Sequence, residues 1–125
     1  MTPATPRYPG RAPIDAYGNG GFRFADMSHR GSILCLPSGV YGWDATADDE
    51  MTAALLAPAL AEAREIGVLL VGTGLSQVFP SPALRRAFEA AGLGLECMAT
   101  GAAARTYNVL LAEDRRVAAA LLAVD

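Results

Sequence analysis

The stretch Val68-Leu69-Leu70-Val71-Gly72-Thr73-Gly74 decides the fold. Four consecutive aliphatic residues leave a strand with no polar face. That is the pattern of an interior strand in a parallel or mixed sheet, buried on both sides. Glycines 72 and 74 then close it in a tight turn. Further on, Ser81-Pro82 pairs an N-cap with proline at the first helical position. Leu84, Ala87, Phe88 and Ala91 fall on one face of the helix that follows, and Gly92 or Gly94 stops it. Leu95-Glu96-Cys97-Met98 reads as the next strand. Thr100 is the predicted N-cap of a helix over 101–113, with Ala104, Tyr107 and Leu111 on one face. Residues 117–122 close the series as a strand, with a helix end as the alternative. The second half is therefore β-α-β-α-β, which implies right-handed crossovers and a mixed or parallel sheet.

Outward on the N-terminal side, residues 51–64 are rich in Ala and Leu and follow the acidic run Asp48-Asp49-Glu50. They predict a helix that Pro58 kinks or splits in two. Ile33-Leu34-Cys35-Leu36 and Val40-Tyr41-Gly42-Trp43 are short strands separated by Pro37-Ser38-Gly39. Ile14–Tyr17 and Phe22–Phe24 flank Gly18-Asn19-Gly20-Gly21 and predict a β-hairpin. Residues 1–13 hold four of the eight prolines and predict an extended arm ahead of a domain over 14–125.

The 125 residues are 52% hydrophobic and 18% charged, enough for one domain with a core. A net charge of −3 opposes sequence-blind nucleic-acid binding. All ten cations are arginine, which excludes a lysine Schiff base, a P-loop lysine and a Ser-Lys dyad. One histidine, His29, and two cysteines outside any CxxC, Cys35 and Cys97, give no metal-ligand spacing. Both cysteines fall in apolar strands and are expected as buried, reduced thiols. No cofactor is implied. The longest apolar runs are strand-sized, and the proline arm lacks the apolar centre of an export signal, so a cytoplasmic protein is expected.

Three constellations invite chemistry. Gly72-Thr73-Gly74-Leu75-Ser76-Gln77 resembles the opening of a dinucleotide fingerprint. Gln77 replaces its third glycine, Val78-Phe79-Pro80 delays the helix, and Glu96, at the distance of the ribose-binding acid, lies in a strand. A tight turn between packed elements accounts for the same residues. If the strands ending at Val71 and Met98 are parallel neighbours, their loops form a crevice. Gly72, Thr73, Gly74, Gln77, Thr100, Arg105 and Asn108 would line it, as a partner surface or as the small-molecule, anion or carboxylate site of a binding protein or an unrecognised enzyme. Arg105 and Asn108, three apart on a helix, serve equally well as a structural network. His29 with Asp26, Ser28 and Ser38 lacks a nucleophile turn and is expected in a surface loop. Tyr41 and Trp43, two apart on a strand, are either a partner anchor or a core pair.

Taken in order, Gly31-Ser32-Ile33-Leu34, Pro37, Trp43, residues 68–74, Met98-Ala99-Thr100, residues 105–110 and residues 113–121 carry a resemblance. The chain resembles the Mth-type domain family over about residues 14–124. That family takes in the adipogenesis-associated Mth-type protein and mitochondrial NADH:ubiquinone oxidoreductase complex assembly factor 3. The absence of lysine and the heavy use of Ala and Arg point to a bacterial member. The resemblance implies a single three-layer α/β domain with a central mixed sheet flanked by helices. It implies no established enzyme activity and no known cofactor. For its mitochondrial branch it implies a role in assembling respiratory complex I. On that ground the chain is expected to be a complex I assembly factor-like interaction protein whose partners are respiratory-complex subunits or assembly proteins. Exposed strand edges leave a homodimer as a further expectation.

Overall fold

The computed structural model describes residues 5–125; residues 1–4 of the expected arm lie outside the described residues. In chain order the strands of the first half are β1 (Ala16–Gly18), β2 (Gly21–Phe24), β3 (Met27–Arg30), β4 (Ser32–Leu36) and β5 (Gly39–Trp43). They are followed by α1 (Ala57–Leu60), a single 3₁₀ turn (Ala63–Glu65), β6 (Val68–Gly72), α2 (Pro82–Ala91), β7 (Gly94–Met98), α3 (Thr100–Ala112) and β8 (Val117–Leu121). The aliphatic run is the interior strand β6, parallel to β7 on one side and to β8 on the other. Strand β8 runs antiparallel to β4, and β4 antiparallel to β5. The mixed five-stranded order is β5-β4-β8-β6-β7.

Strand alternation splits the core between the two faces of this sheet. Leu34, Leu36, Leu69, Val71, Ala118 and Ala120 face one side, where they meet Leu56, Leu84 and Phe88. Ile33, Cys35, Leu70, Val117, Ala119 and Leu121 face the other, against Ala103, Ala104 and Tyr107 of α3 and Phe22 and Phe24 of β2. The result is three layers. Residues 117–121 form a strand because neighbours pair with them on both edges. Ala118, Ala119 and Ala120 are all fully buried, so the absence of bulk lets the layers approach. No helix among the described residues is long and apolar enough to cross a membrane.

Helix α2 follows its sequence signals. Ser81 Oγ accepts from Leu84 N at 3.1 Å, Pro82 opens the helix, and Gly92 ends it at φ +68°. Leu84 and Phe88 are buried as expected, while Ala91 is exposed.

Elsewhere the structure corrects the sequence. The expected helix over 51–64 shrinks to α1 and the 3₁₀ turn. Pro58 sits in the first turn of α1 rather than inside a longer helix. The Leu55 carbonyl, which a longer helix would use, accepts instead from Trp43 Nε1 at 3.1 Å. The expected first strand over 14–17 becomes Ala16–Gly18, because the Ile14 backbone is bonded to Asn108. The expected hairpin is the first half of a three-stranded sheet, order β1-β2-β3. His29 therefore lies on strand β3, opposite Phe22, and not in a loop. The turn into β3 is made by Ala25 and Asp26 at φ +48° and +61°, in place of the Asn-Gly that normally announces such a turn. Arg7 and Tyr8 of the arm run along the outer edge of β5. Arg7 N donates to Val40 O at 2.6 Å and Val40 N to Tyr8 O at 2.9 Å, covering an edge that would otherwise be open.

Candidate functional site

The expected crevice has its two bounding strands in place. Strands β6 and β7 end side by side, with Gly72 opposite Met98. Its polar residues, however, are already committed within the fold. Thr100 is fully buried; its Oγ1 accepts from Gly74 N at 3.0 Å and donates to Leu122 O at 2.8 Å. Its amide donates to Gly74 O at 2.8 Å. Thr100 is thus not the N-cap of α3. Ala99 holds that position with no side-chain cap bond, and the Thr100 hydroxyl joins the turn after β6 to the end of β8. Thr73 donates its amide to Met98 O at 2.8 Å. Its hydroxyl donates to Ser76 O at 2.7 Å and accepts from Val78 N at 3.0 Å, which fixes the loop after β6. Gly72 faces Thr100 so closely that a Cβ on it would lie 2.9 Å from Thr100 Cα.

Gln77 Nε2 donates to Cys97 O at 2.8 Å. Met98 O faces β6, so Cys97 O faces outward, and Gln77 caps the free edge of β7. Asn108 clamps the chain ahead of β1: its Oδ1 accepts from Ile14 N, and its Nδ2 donates to Ile14 O, both at 2.8 Å. Asn108→Ala is expected to cost about 2 kcal/mol, the worth of two such bonds. Hydrogen exchange should then speed up at Ile14 and along β1, with little change at β6. Arg105 is exposed, and its Nη1 reaches Tyr17 Oη at 3.3 Å. The structure brings Thr73, Gly74 and Thr100 together, while Asn108 and Arg105 serve the N-terminal segment.

What the crevice leaves exposed is apolar. In the loop between β6 and α2, Leu75 is 79% exposed, Val78 59% and Phe79 72%. Three large apolar side chains exposed within one loop make it a candidate interaction surface. Sequence reading passed over them because they fall between structured elements and follow neither a period of 2 nor one of 3.6. The signal that could have found them is their density, three large apolar residues within five positions of a loop.

The other candidates are structural. Trp43 is 9% exposed, a core position. Tyr41 packs beside it, half-buried. Ser38 Oγ donates to Glu62 Oε2 at 2.6 Å, which leaves the Tyr41 hydroxyl to donate to Ser38 Oγ at 2.6 Å. Cys35 and Cys97 are free and buried on opposite faces of the sheet, so they cannot pair within one chain. Burial pushes the Cys35 thiol up to about 12 and the Cys97 thiol to about 11. Neither should react with a thiol reagent at neutral pH in the folded protein, and both should react in denaturant. Because both values are raised, the unfolded chain loses these protons first; stability should decline as pH rises above about 9. A single buried thiol reacting at neutral pH at the rate of a free thiol would contradict this.

Comparison with known proteins agrees with the fold. An uncharacterised protein of Rhodobacter capsulatus is 41% identical over 122 residues, covering 98% of this chain and 93% of the relative. A crystal structure from Bartonella henselae, of a protein described as an outer membrane protein, shares 54% identity. It superposes with a TM-score of 0.91 over 95% of this chain and 100% of that one. A solution structure from Bordetella pertussis, described as a Mth938-like domain, shares 34% identity and a TM-score of 0.78, over 98% of this chain and 92% of that one. The family profile matches residues 14–122, from the Ile14 clamp through the end of β8, and the chain belongs to the family described as proteins of unknown function DUF498/DUF598.

Proposed function

We propose that this chain is a non-enzymatic interaction protein of the assembly-factor type, which docks a respiratory-complex subunit or another assembly protein on the loop between β6 and α2. The observation that carries this reading is the exposure of Leu75, Val78 and Phe79 on one loop. The Thr73 hydroxyl ties that loop at both Ser76 and Val78, so the apolar groups are held outward before a partner arrives. Such preorganisation lowers the ordering cost of binding. The partner class follows from the resemblance to Mth-type proteins, among them the mitochondrial complex assembly factor. Arg105 adds an exposed cation on α3, whose first residue, Thr100, anchors the base of the same loop.

The second reading, a small anion or metabolite in the crevice, finds Thr73, Gln77, Thr100 and Asn108 already hydrogen-bonded within the fold. Affinity capture of the tagged full chain from detergent-solubilised native cells, with quantitative mass spectrometry, tests the proposal. Respiratory-complex subunits or their assembly proteins are the expected enrichment. Recovery of the chain alone would overturn it.

A further inference from the structure

The three-stranded sheet carries a cleft that the docking loop does not use. Strand alternation shapes it. Phe22 and Phe24 turn into the core, so Arg23 turns outward. Strand β3 is in register with β2, Phe22 opposite His29 and Gly21 opposite Arg30, so Ser28 and Arg30 turn outward too. Gly18 pairs with Gly21 in the same row as Arg30, so bare backbone forms the floor beside that arginine. The cleft measures about 410 Å³, and no Asp or Glu lines it. That composition runs against the chain as a whole, in which acidic residues outnumber basic ones 13 to 10. Among the described residues the only ion pair is Arg115 with Glu113 at 4.0 Å, so Arg23 and Arg30 have no carboxylate partner.

Arg23 Nη1 donates to Ser28 Oγ at 3.1 Å, which frees the serine proton for another acceptor. Tyr17 lies opposite Phe22 and so turns to the other face of this sheet, where its hydroxyl takes the Arg105 guanidinium of α3 at 3.3 Å; only its backbone borders the cleft.

We propose that this cleft binds a soluble phosphate monoester, with the phosphate between Arg23 and Arg30 and the Ser28 hydroxyl donating to it. Two unpaired guanidinium groups balance a dianion, and their planar forks match phosphate oxygens. The cleft is larger than a phosphate alone, so the organic part of the ester lies along the backbone of Gly18 and Asn19.

The test is an amide NMR titration of the full chain with ribose 5-phosphate, with inorganic phosphate and with succinate, at matched ionic strength. Vesicles containing phosphatidic acid form a separate arm, because a lipid headgroup offers the same chemistry. Saturable shifts confined to residues 18–30 are expected with ribose 5-phosphate, at a dissociation constant on the order of 1 mM or tighter. Inorganic phosphate should bind more weakly, and succinate least. Arg30→Gln should weaken binding roughly tenfold or more, and the Arg23→Gln/Arg30→Gln double variant should abolish it. Arg23→Lys/Arg30→Lys keeps the charge but not the fork and should fall between. Both arginines are exposed, so thermal unfolding should match the wild type. Absence of saturable shifts, equal binding by both double variants and the wild type, or binding to vesicles alone would each overturn the proposal.

Discussion

Thr100→Val is expected to lower the unfolding free energy by about 3 kcal/mol. Valine fills the same space but has no hydroxyl. The Gly74 amide and the Leu122 carbonyl would then both lose the partner that Thr100 Oγ1 supplies, at a fully buried position. A buried group left unsatisfied costs about 1–3 kcal/mol, and two are created at once. The same hydroxyl joins the turn after β6, the start of α3 and the chain leaving β8, so its loss loosens three elements together. Urea unfolding should show a lower midpoint with an unchanged slope. Thr100→Ser keeps the hydroxyl and removes one methyl group, and should cost about 1 kcal/mol. Equal losses in the two variants would mean that the hydroxyl is not what holds the crevice closed.

Gly72→Val should cost a similar amount by the opposite route, overpacking. A Cβ at Gly72 would lie 2.9 Å from Thr100 Cα and 3.0 Å from Leu121 Cδ2. The leucine methyl can swing aside. The Thr100 backbone cannot, because its amide and hydroxyl are both bonded to the Gly74 turn. Forcing side-chain atoms into such a contact costs about 1–3 kcal/mol or more. Gly72 is absent from the glycines with positive φ, so the penalty comes from contact rather than from backbone conformation. The melting temperature should fall by on the order of 10 °C, and by less for Gly72→Ala. A wild-type melting temperature in Gly72→Val would show that α3 does not press on β6 as closely as the geometry requires.

The sheet was legible wherever chemistry is local. Residues 68–71 announced an interior strand because they have no polar face, and Ser81-Pro82 with Gly92 announced α2 because caps act within a few residues. Long-range competition hid the rest. Residues 51–56 have helical composition, but the Trp43 indole takes the Leu55 carbonyl from 12 residues away. Strand β3 is polar at three of its four positions, and an Ala-Asp turn gives no warning of it. At the candidate site, the parallel placement of β6 and β7 followed from the order of elements. The use of each polar group did not. Whether Thr100 caps a helix, binds an anion or bridges two loops depends on Leu122, 22 residues on. Asn108 depends on Ile14, 94 residues back. Exposure of Leu75, Val78 and Phe79 is likewise a tertiary fact, since an apolar residue in a loop is as easily folded inward as held out.

The account rests on a division of labour: the polar residues of the crevice hold the fold, and the apolar loop beside them holds the partner. Affinity capture with the Leu75→Ser/Val78→Ser/Phe79→Ser variant, paired with its thermal unfolding, tests that division most directly. The predicted result is a melting temperature close to wild type, because exposed positions contribute little to stability, together with loss of the captured respiratory-complex or assembly proteins. Capture of the same proteins at wild-type levels by the folded variant would contradict the account.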